Sequence, residues 1–170
     1  MGFATAARRR VLTVLVLTAS VAGTASTAGA SGAVLSQGGH EIRTFAYKCL
    51  DVKDRSGANG ASVIQYECGG GANQRFRIVR AGGGYEIRTF AGKCLDVKDR
   101  SEADGASVIQ YDCGGGANQQ FDLVHVGGGY EIRTFAGKCL DVQGQSVANG
   151  APIVQYECDG EPSQQFRLFA

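Results

Sequence analysis

The sequence predicts an all-β fold in which three like units of four short strands close into a pseudo-threefold assembly. Three observations carry that expectation. Cys49, Cys94 and Cys139 lie 45 residues apart, as do Cys68, Cys113 and Cys158, and the surrounding sequence keeps the same period. Residues 40–84 match 85–129 at 35 of 45 positions, and 85–125 match 130–170 at 25 of 41. Such self-similarity marks one supersecondary unit used three times. Glycine supplies 26 of the 170 residues, about twice its usual share, with only 2 prolines and no Gly-X-Y period. That excess means many tight turns. No stretch longer than about ten residues keeps a 3.6-residue period, so no helix of consequence is expected.

Residues 1–30 read as an address. Arg8, Arg9 and Arg10 form a basic segment, Val11 to Val21 is apolar but too short to span a bilayer, and small residues run down to Ala28-Gly29-Ala30. This is the order of a secretory signal peptide, with cleavage expected after Ala30. An N-terminal anchor is the competing reading, and the paired arginines leave both the general and the twin-arginine export routes open. The mature chain, about Ser31 to Ala170, is then one domain of three repeats at about 40–84, 85–129 and 130–170. In the middle copy, YEIRTF (85–90) and KCLDV (93–97) read as strands and KDRSEADG (98–105) as a polar turn. SVIQYDC (107–113) is a third strand, GGGANQ (114–119) a glycine loop and QFDLV (120–124) a fourth strand. Four strands per copy make twelve, and a closed assembly leaves few free edges. Leu50, Val52, Val63, Phe76, Ile78 and their repeats are the expected core.

Charge excludes some partners. The whole chain has 17 Lys+Arg against 16 Asp+Glu, and removal of residues 1–30 leaves 14 against 16. No basic field is available to hold phosphates, so a nucleic-acid partner is not expected. Nothing after residue 30 is long and apolar enough to cross a membrane, which points to a secreted, extracellular protein without membrane contact in its mature form. If the copies fold alike and every cysteine pairs, three connectivities remain of the fifteen that six cysteines allow. The in-copy scheme, Cys49–Cys68, Cys94–Cys113 and Cys139–Cys158, closes short loops and needs no contact between copies. It is preferred, and an oxidising compartment agrees with it. The pairs lack zinc-ligand spacing and no histidine repeats with them, so no metal is expected there.

A candidate site follows from strand periodicity. Residues two apart share a face, so Cys49 shares one with Asp51, and Tyr66 with Cys68. If the two strands pair across a disulfide, 49 opposes 68 and 51 opposes 66, which sets a carboxylate beside an aromatic face. The glycine loop then returns Asn73 and Gln74. A ring that stacks on C–H groups, with a carboxylate and amides for hydroxyls, suits a sugar. Strict pairing in this register would turn Gln65 and Glu67 inward beside Leu50 and Val52, so the proximity is expected and the register is not.

The repeated order GKCLDV, glycine, VIQY-x-C and NQ-x-F resembles the ricin B-type lectin repeat, a carbohydrate-binding module that folds as a β-trefoil. The resemblance covers about 40–170 in three copies. Where the family usually has Trp after Gln-x, this chain has Phe76, Phe121 and Phe166. The resemblance implies sugar contacts from the Asp of CLD, a polar residue three later, the aromatic two before the second cysteine, and the Asn-Gln pair. The first copy supplies Asp51, Asp54, Tyr66, Asn73 and Gln74, and the second Asp96, Asp99, Tyr111, Asn118 and Gln119. The third keeps Asp141, Tyr156 and Gln164 but has Gly144 and Ser163 where Asp and Asn are expected. A histidine common after the second cysteine is replaced by Gly69, Gly114 and Asp159. Two competent sites and a weakened third are expected. Each Asp and Gln has a competing role as a brace that bonds loop N–H groups.

Other features carry less. The GGG runs lack a following helix and read as turns, not a phosphate cradle. Asp51-x-x-Asp54 does not follow a calcium loop. His40 and His125 read as surface residues, and Arg43, Arg88 and Arg133 as partners for Glu41, Glu86 and Glu131. The leading function is a secreted, monomeric, non-catalytic lectin without cofactor, for galactose-type sugars or plant polysaccharides such as xylan. The alternative is a protein-binding or protease-inhibitor trefoil, although no insertion between copies supplies an inhibitory loop. Asp51 and Asp54 are paired carboxylates of the kind glycosidases use, yet a small constellation repeated three times is not one shaped catalytic cleft.

Overall fold

The computed structural model describes residues 1–2 and 39–170, so the export segment expected at 1–30 falls almost wholly outside the described residues. The described residues form twelve strands. The first copy contributes β1 (Glu41–Arg43), β2 (Cys49–Val52), β3 (Val63–Tyr66) and β4 (Arg77–Ala81). The second has β5 (Gly84–Arg88), β6 (Cys94–Val97), β7 (Val108–Tyr111) and β8 (Asp122–Val126). The third has β9 (Gly129–Arg133), β10 (Cys139–Val142), β11 (Ile153–Tyr156) and β12 (Arg167–Phe169). Helical structure among the described residues is confined to six three-residue turns.

Three four-stranded antiparallel sheets run β12-β1-β2-β3, β4-β5-β6-β7 and β8-β9-β10-β11. Bridges His40–Phe76, Tyr85–Phe121 and Tyr130–Phe166 join β1 to β4, β5 to β8 and β9 to β12. With the ladders β4–β5, β8–β9 and β1–β12, these close a ring of six strands. Closure removes the free edges that six short strands would otherwise present. The hairpins β2–β3, β6–β7 and β10–β11 join one another through Ser62–Ile109, Ser107–Val154 and Ile64–Pro152. This is a β-trefoil. Leu50, Val52, Val63 and Phe76 and their counterparts are buried in one threefold cluster as the sequence reading expects; Ile78 is buried outside that cluster, and its counterparts Leu123 and Leu168 are only partly buried. Phe76, Phe121 and Phe166 are at most 1% exposed and take equivalent places in that cluster.

The register departs from the one sketched above. Cys49 opposes Tyr66, Leu50 opposes Gln65 and Asp51 opposes Ile64. The disulfide is not a cross-strand pair. Strand β3 ends at Tyr66, and the chain then turns Cys68 back onto Cys49, with the Cα atoms 5.1 Å apart. All three in-copy disulfides are present, and no described cysteine is free.

Gln65 does point inward, fully buried, while Glu67 lies beyond the strand and is exposed. Burial is tolerated because the amide is satisfied. Gln65 Nε2 donates to the carbonyls of Ser146 (2.7 Å) and Ala148 (2.9 Å), and Thr44 Oγ1 donates to Gln65 Oε1 (2.9 Å). The main chain adds Gln65 N–H to Ala151 O and Gly150 N–H to Gln65 O. Gln110 grips Ser56 and Ala58 of the first copy, and Gln155 grips Ser101 and Ala103 of the second. Each copy thus holds a loop of its neighbour, and the three grips run in a circle.

Candidate functional site

Strand β2 is buried at every position, for two reasons. Leu50 and Val52 face the core, whereas Cys49 and Asp51 face outward and are covered by β3 and the glycine loop. Asp51 and Tyr66 are diagonal neighbours on this outer face, since their opposite numbers are offset by two residues. Asp51 is 6% exposed and Tyr66 46%, so the acid forms a floor and the phenol a wall. The acid is therefore buried, and it meets the phenol diagonally, not directly opposite as strand alternation suggested. Tyr111 and Tyr156 are exposed to the same extent, and Asp96 and Asp141 are buried like Asp51.

The glutamine braces the acid. Gln74 Nε2 donates to Asp51 Oδ2 (2.8 Å) and to the Glu67 carbonyl (2.9 Å), and its Oε1 accepts from the Gly69 N–H (2.8 Å). Gln119 repeats this with Asp96, Asp112 and Gly114, and Gln164 with Asp141, Glu157 and Asp159. All the polar atoms of that amide are engaged, so the glutamine fixes the carboxylate and the loop together. Asn73 and Asn118 are also buried and donate to the Val52 and Val97 carbonyls. Burial raises the Asp51, Asp96 and Asp141 carboxyls above the ordinary value of 3.8; the glutamine hydrogen bonds pull the other way.

Asp54 and Asp99 sit in a reversed turn. Asp54 (φ 57°) and Arg55 (φ 52°) are both left-handed, and Ser56 N–H closes the turn onto Lys53 O at 3.1 Å. The third copy has Gly144 at this place with φ 65°, the residue such backbone favours. The first two copies carry an exposed aspartate there instead.

These residues enclose a hollow in each copy. The first, about 380 Å³, is lined by Asp51, Asp54, Arg55, Tyr66, Asn73 and Gln74 among others. The second, about 360 Å³, has the equivalent set with Asp96, Asp99, Arg100 and Tyr111. The third, about 260 Å³, keeps Asp141 and Tyr156 but has Gly144, Gln145 and Asp159 where the others have Asp, Arg and Gly. Every residue singled out in the first two copies lines the hollow of its own copy, whereas in the third Gln164 is fully buried and does not line the hollow beside Asp141 and Tyr156. Arg55 and Arg100 were not singled out; their repetition inside the KDR turn was the available signal. The first-strand arginines behave as read: Arg43, Arg88 and Arg133 pair with Glu41, Glu86 and Glu131 at 2.7–2.8 Å. His125 is exposed and His40 half-buried.

The class of protein so defined is a β-trefoil that repeats a braced acid beneath an exposed phenol in each copy. Residues 39–166 match the ricin-type β-trefoil lectin domain, and the chain belongs to that family. Among solved structures, the designed threefold-symmetric protein ThreeFoil is 43% identical, with 77% of this chain and 97% of that one covered and a TM-score of 0.75. The exo-β-1,3-galactanase 1,3Gal43A from Clostridium thermocellum is 34% identical over 79% of this chain (TM-score 0.76), which corresponds to only 30% of that chain. A Macrolepiota procera ricin B-like lectin in complex with lactose is 18% identical (TM-score 0.67), covering 76% of this chain and 92% of that one; the likeness is of fold. No curated protein matches.

Proposed function

We propose that the protein is a non-catalytic lectin, exported from the cell through the segment at 1–30, that binds galactose-type sugars or plant polysaccharides such as xylan. The observation that carries this is the threefold pairing of an exposed tyrosine with a buried, braced aspartate in an open hollow. A sugar ring lies with its C–H face against the phenol, while the carboxylate accepts from ring hydroxyls. The brace matters because it holds the acceptor still before the sugar arrives, which lowers the ordering cost of binding. Asp54 and Asp99 extend the acceptor set in two copies, so the third hollow is the weaker. Repetition of one small constellation also argues against catalysis, which needs an acid and a base in different environments. The chain supplies a surface for holding a polymer, and two or three weak sites on one body gain avidity there.

Tyr66→Ala combined with Tyr111→Ala tests this more cleanly than loss of the buried acids. The phenols are half exposed, so the double variant should keep its unfolding midpoint within about 1 kcal/mol of wild type. Retention on immobilised galactose or xylan should be lost. Undiminished retention would contradict the assignment, and capture of a protease insensitive to free sugar would favour the inhibitor reading.

A further inference from the structure

A second kind of hollow lies between copies. One of about 250 Å³ is walled by Thr44 and Phe45 of the first copy and by Gly128, Gly129, Gln165 and Arg167 of the third and its entry turn. Its counterpart between the second and third copies, about 280 Å³, has Asp122 where this one has Arg167. The two hollows therefore present opposite charges at the same place in the fold. The Arg167 side chain makes no hydrogen bond or ion pair among the described residues, while its main chain pairs with Arg43 in the β1–β12 ladder; its guanidinium lies 5.5 Å from the centre of the Tyr47 ring.

Tyr47 is a second departure from the repeat at the same spot. The equivalent residues are Gly92 and Gly137, with φ of 73° and 71°, and Tyr47 holds φ 57° although a bulky side chain is disfavoured there. It is 69% exposed, so one ring face meets the guanidinium and the other meets solvent. Phe169, on the same seam, stands where the other copies have Val79 and Val124, and Arg43 lies 4.4 Å from the centre of its ring. Departures from threefold sequence thus converge on one junction and place an unpaired cation beside an open aromatic face.

We propose that this junction is a separate subsite for an acidic sugar residue, a hexuronate. Its carboxylate is taken by the Arg167 guanidinium and its C–H face lies on the open side of Tyr47. Gln165, whose Nε2 donates to the Gly160 carbonyl, turns its amide oxygen to a sugar hydroxyl. The proposal rests on the lectin reading, since it presumes that saccharides are the ligand class.

Calorimetric titration of the disulfide-bonded protein with a galacturonate trisaccharide, and with the neutral galactose trisaccharide, tests it. Arg167→Asp takes the side chain the second copy already has at this place and should weaken acidic binding about tenfold, the weight of one charge-assisted hydrogen bond, with neutral binding unchanged. Tyr47→Gly should weaken acidic binding while the thermal midpoint holds or rises. Equal acidic affinity in wild type and Arg167→Asp would overturn the subsite. So would a lowered midpoint in Tyr47→Gly with unchanged acidic affinity, which would make the ring a clasp across the β1–β12 seam. A wild type that binds the neutral sugar and not the acidic one sinks this inference alone, and one that binds neither sinks the lectin reading with it.

Discussion

In the proposed site Asp51, Asp96 and Asp141 are the acids placed to accept from a sugar, and their burial sets how they respond to acid. Desolvation holds each carboxyl above 3.8, so it takes up a proton at a higher pH than an exposed aspartate does. Sugar affinity should accordingly fall on acidification before ordinary exposed aspartates titrate. The stability linkage has the opposite sense. A carboxyl whose folded value is raised binds more protons folded than unfolded, so its favourable contribution is fullest below the unfolded value. That contribution is lost as pH rises through the folded one. Urea midpoints of wild type should therefore fall relative to Asp51→Asn/Asp96→Asn/Asp141→Asn between about pH 3 and about pH 7. A pH-independent difference between the two proteins would contradict the burial effect.

At the scale of strands and loops, the decisive feature is the circular grip of Gln65, Gln110 and Gln155. Gln110→Ala leaves the Ser56 and Ala58 carbonyls without their donor and opens a buried space between the first and second copies. Chemical denaturation should show a loss of about 2–4 kcal/mol, with the fold retained. A change under about 0.5 kcal/mol would mean the grip is incidental. This feature also marks where sequence reasoning stopped. VIQY announces a strand and places Tyr66 outward, and KCLDV places Asp51 on the cysteine face. A buried glutamine looks like an error until the neighbouring loop that satisfies it is seen, because its partners lie 81 and 83 residues away. The shifted register was hidden for a related reason. A disulfide suggests directly opposed residues, and nothing local says that β3 ends at Tyr66 before Cys68 turns back. The left-handed turn was half visible, since Gly144 stands where Asp54 and Asp99 stand, but that exchange reads equally as a lost ligand.

At the scale of the molecule, the repeat does two jobs at once. Three copies close a barrel that no single copy could bury, and the same closure spaces three hollows around one body. The disulfides limit the unfolded chain of each copy, worth about 3 kcal/mol apiece in the chain-entropy model, and tie Cys68 to the strand that carries Asp51. On the proposed function the hollows share a ligand and differ in strength, because only two have an acid at the reversed turn. Six tyrosines make that directly readable, since Tyr66, Tyr111 and Tyr156 line the hollows, Tyr85 and Tyr130 lie in the ring strands, and Tyr47 stands beside Arg167 at the junction of the first and third copies. Titration with lactose, followed by the NMR signals of the tyrosine rings, should move Tyr66 and Tyr111 saturably, Tyr156 more weakly, and leave Tyr85 and Tyr130 in place. Saturable shifts at Tyr85 or Tyr130 with Tyr66 and Tyr111 unmoved would contradict the account.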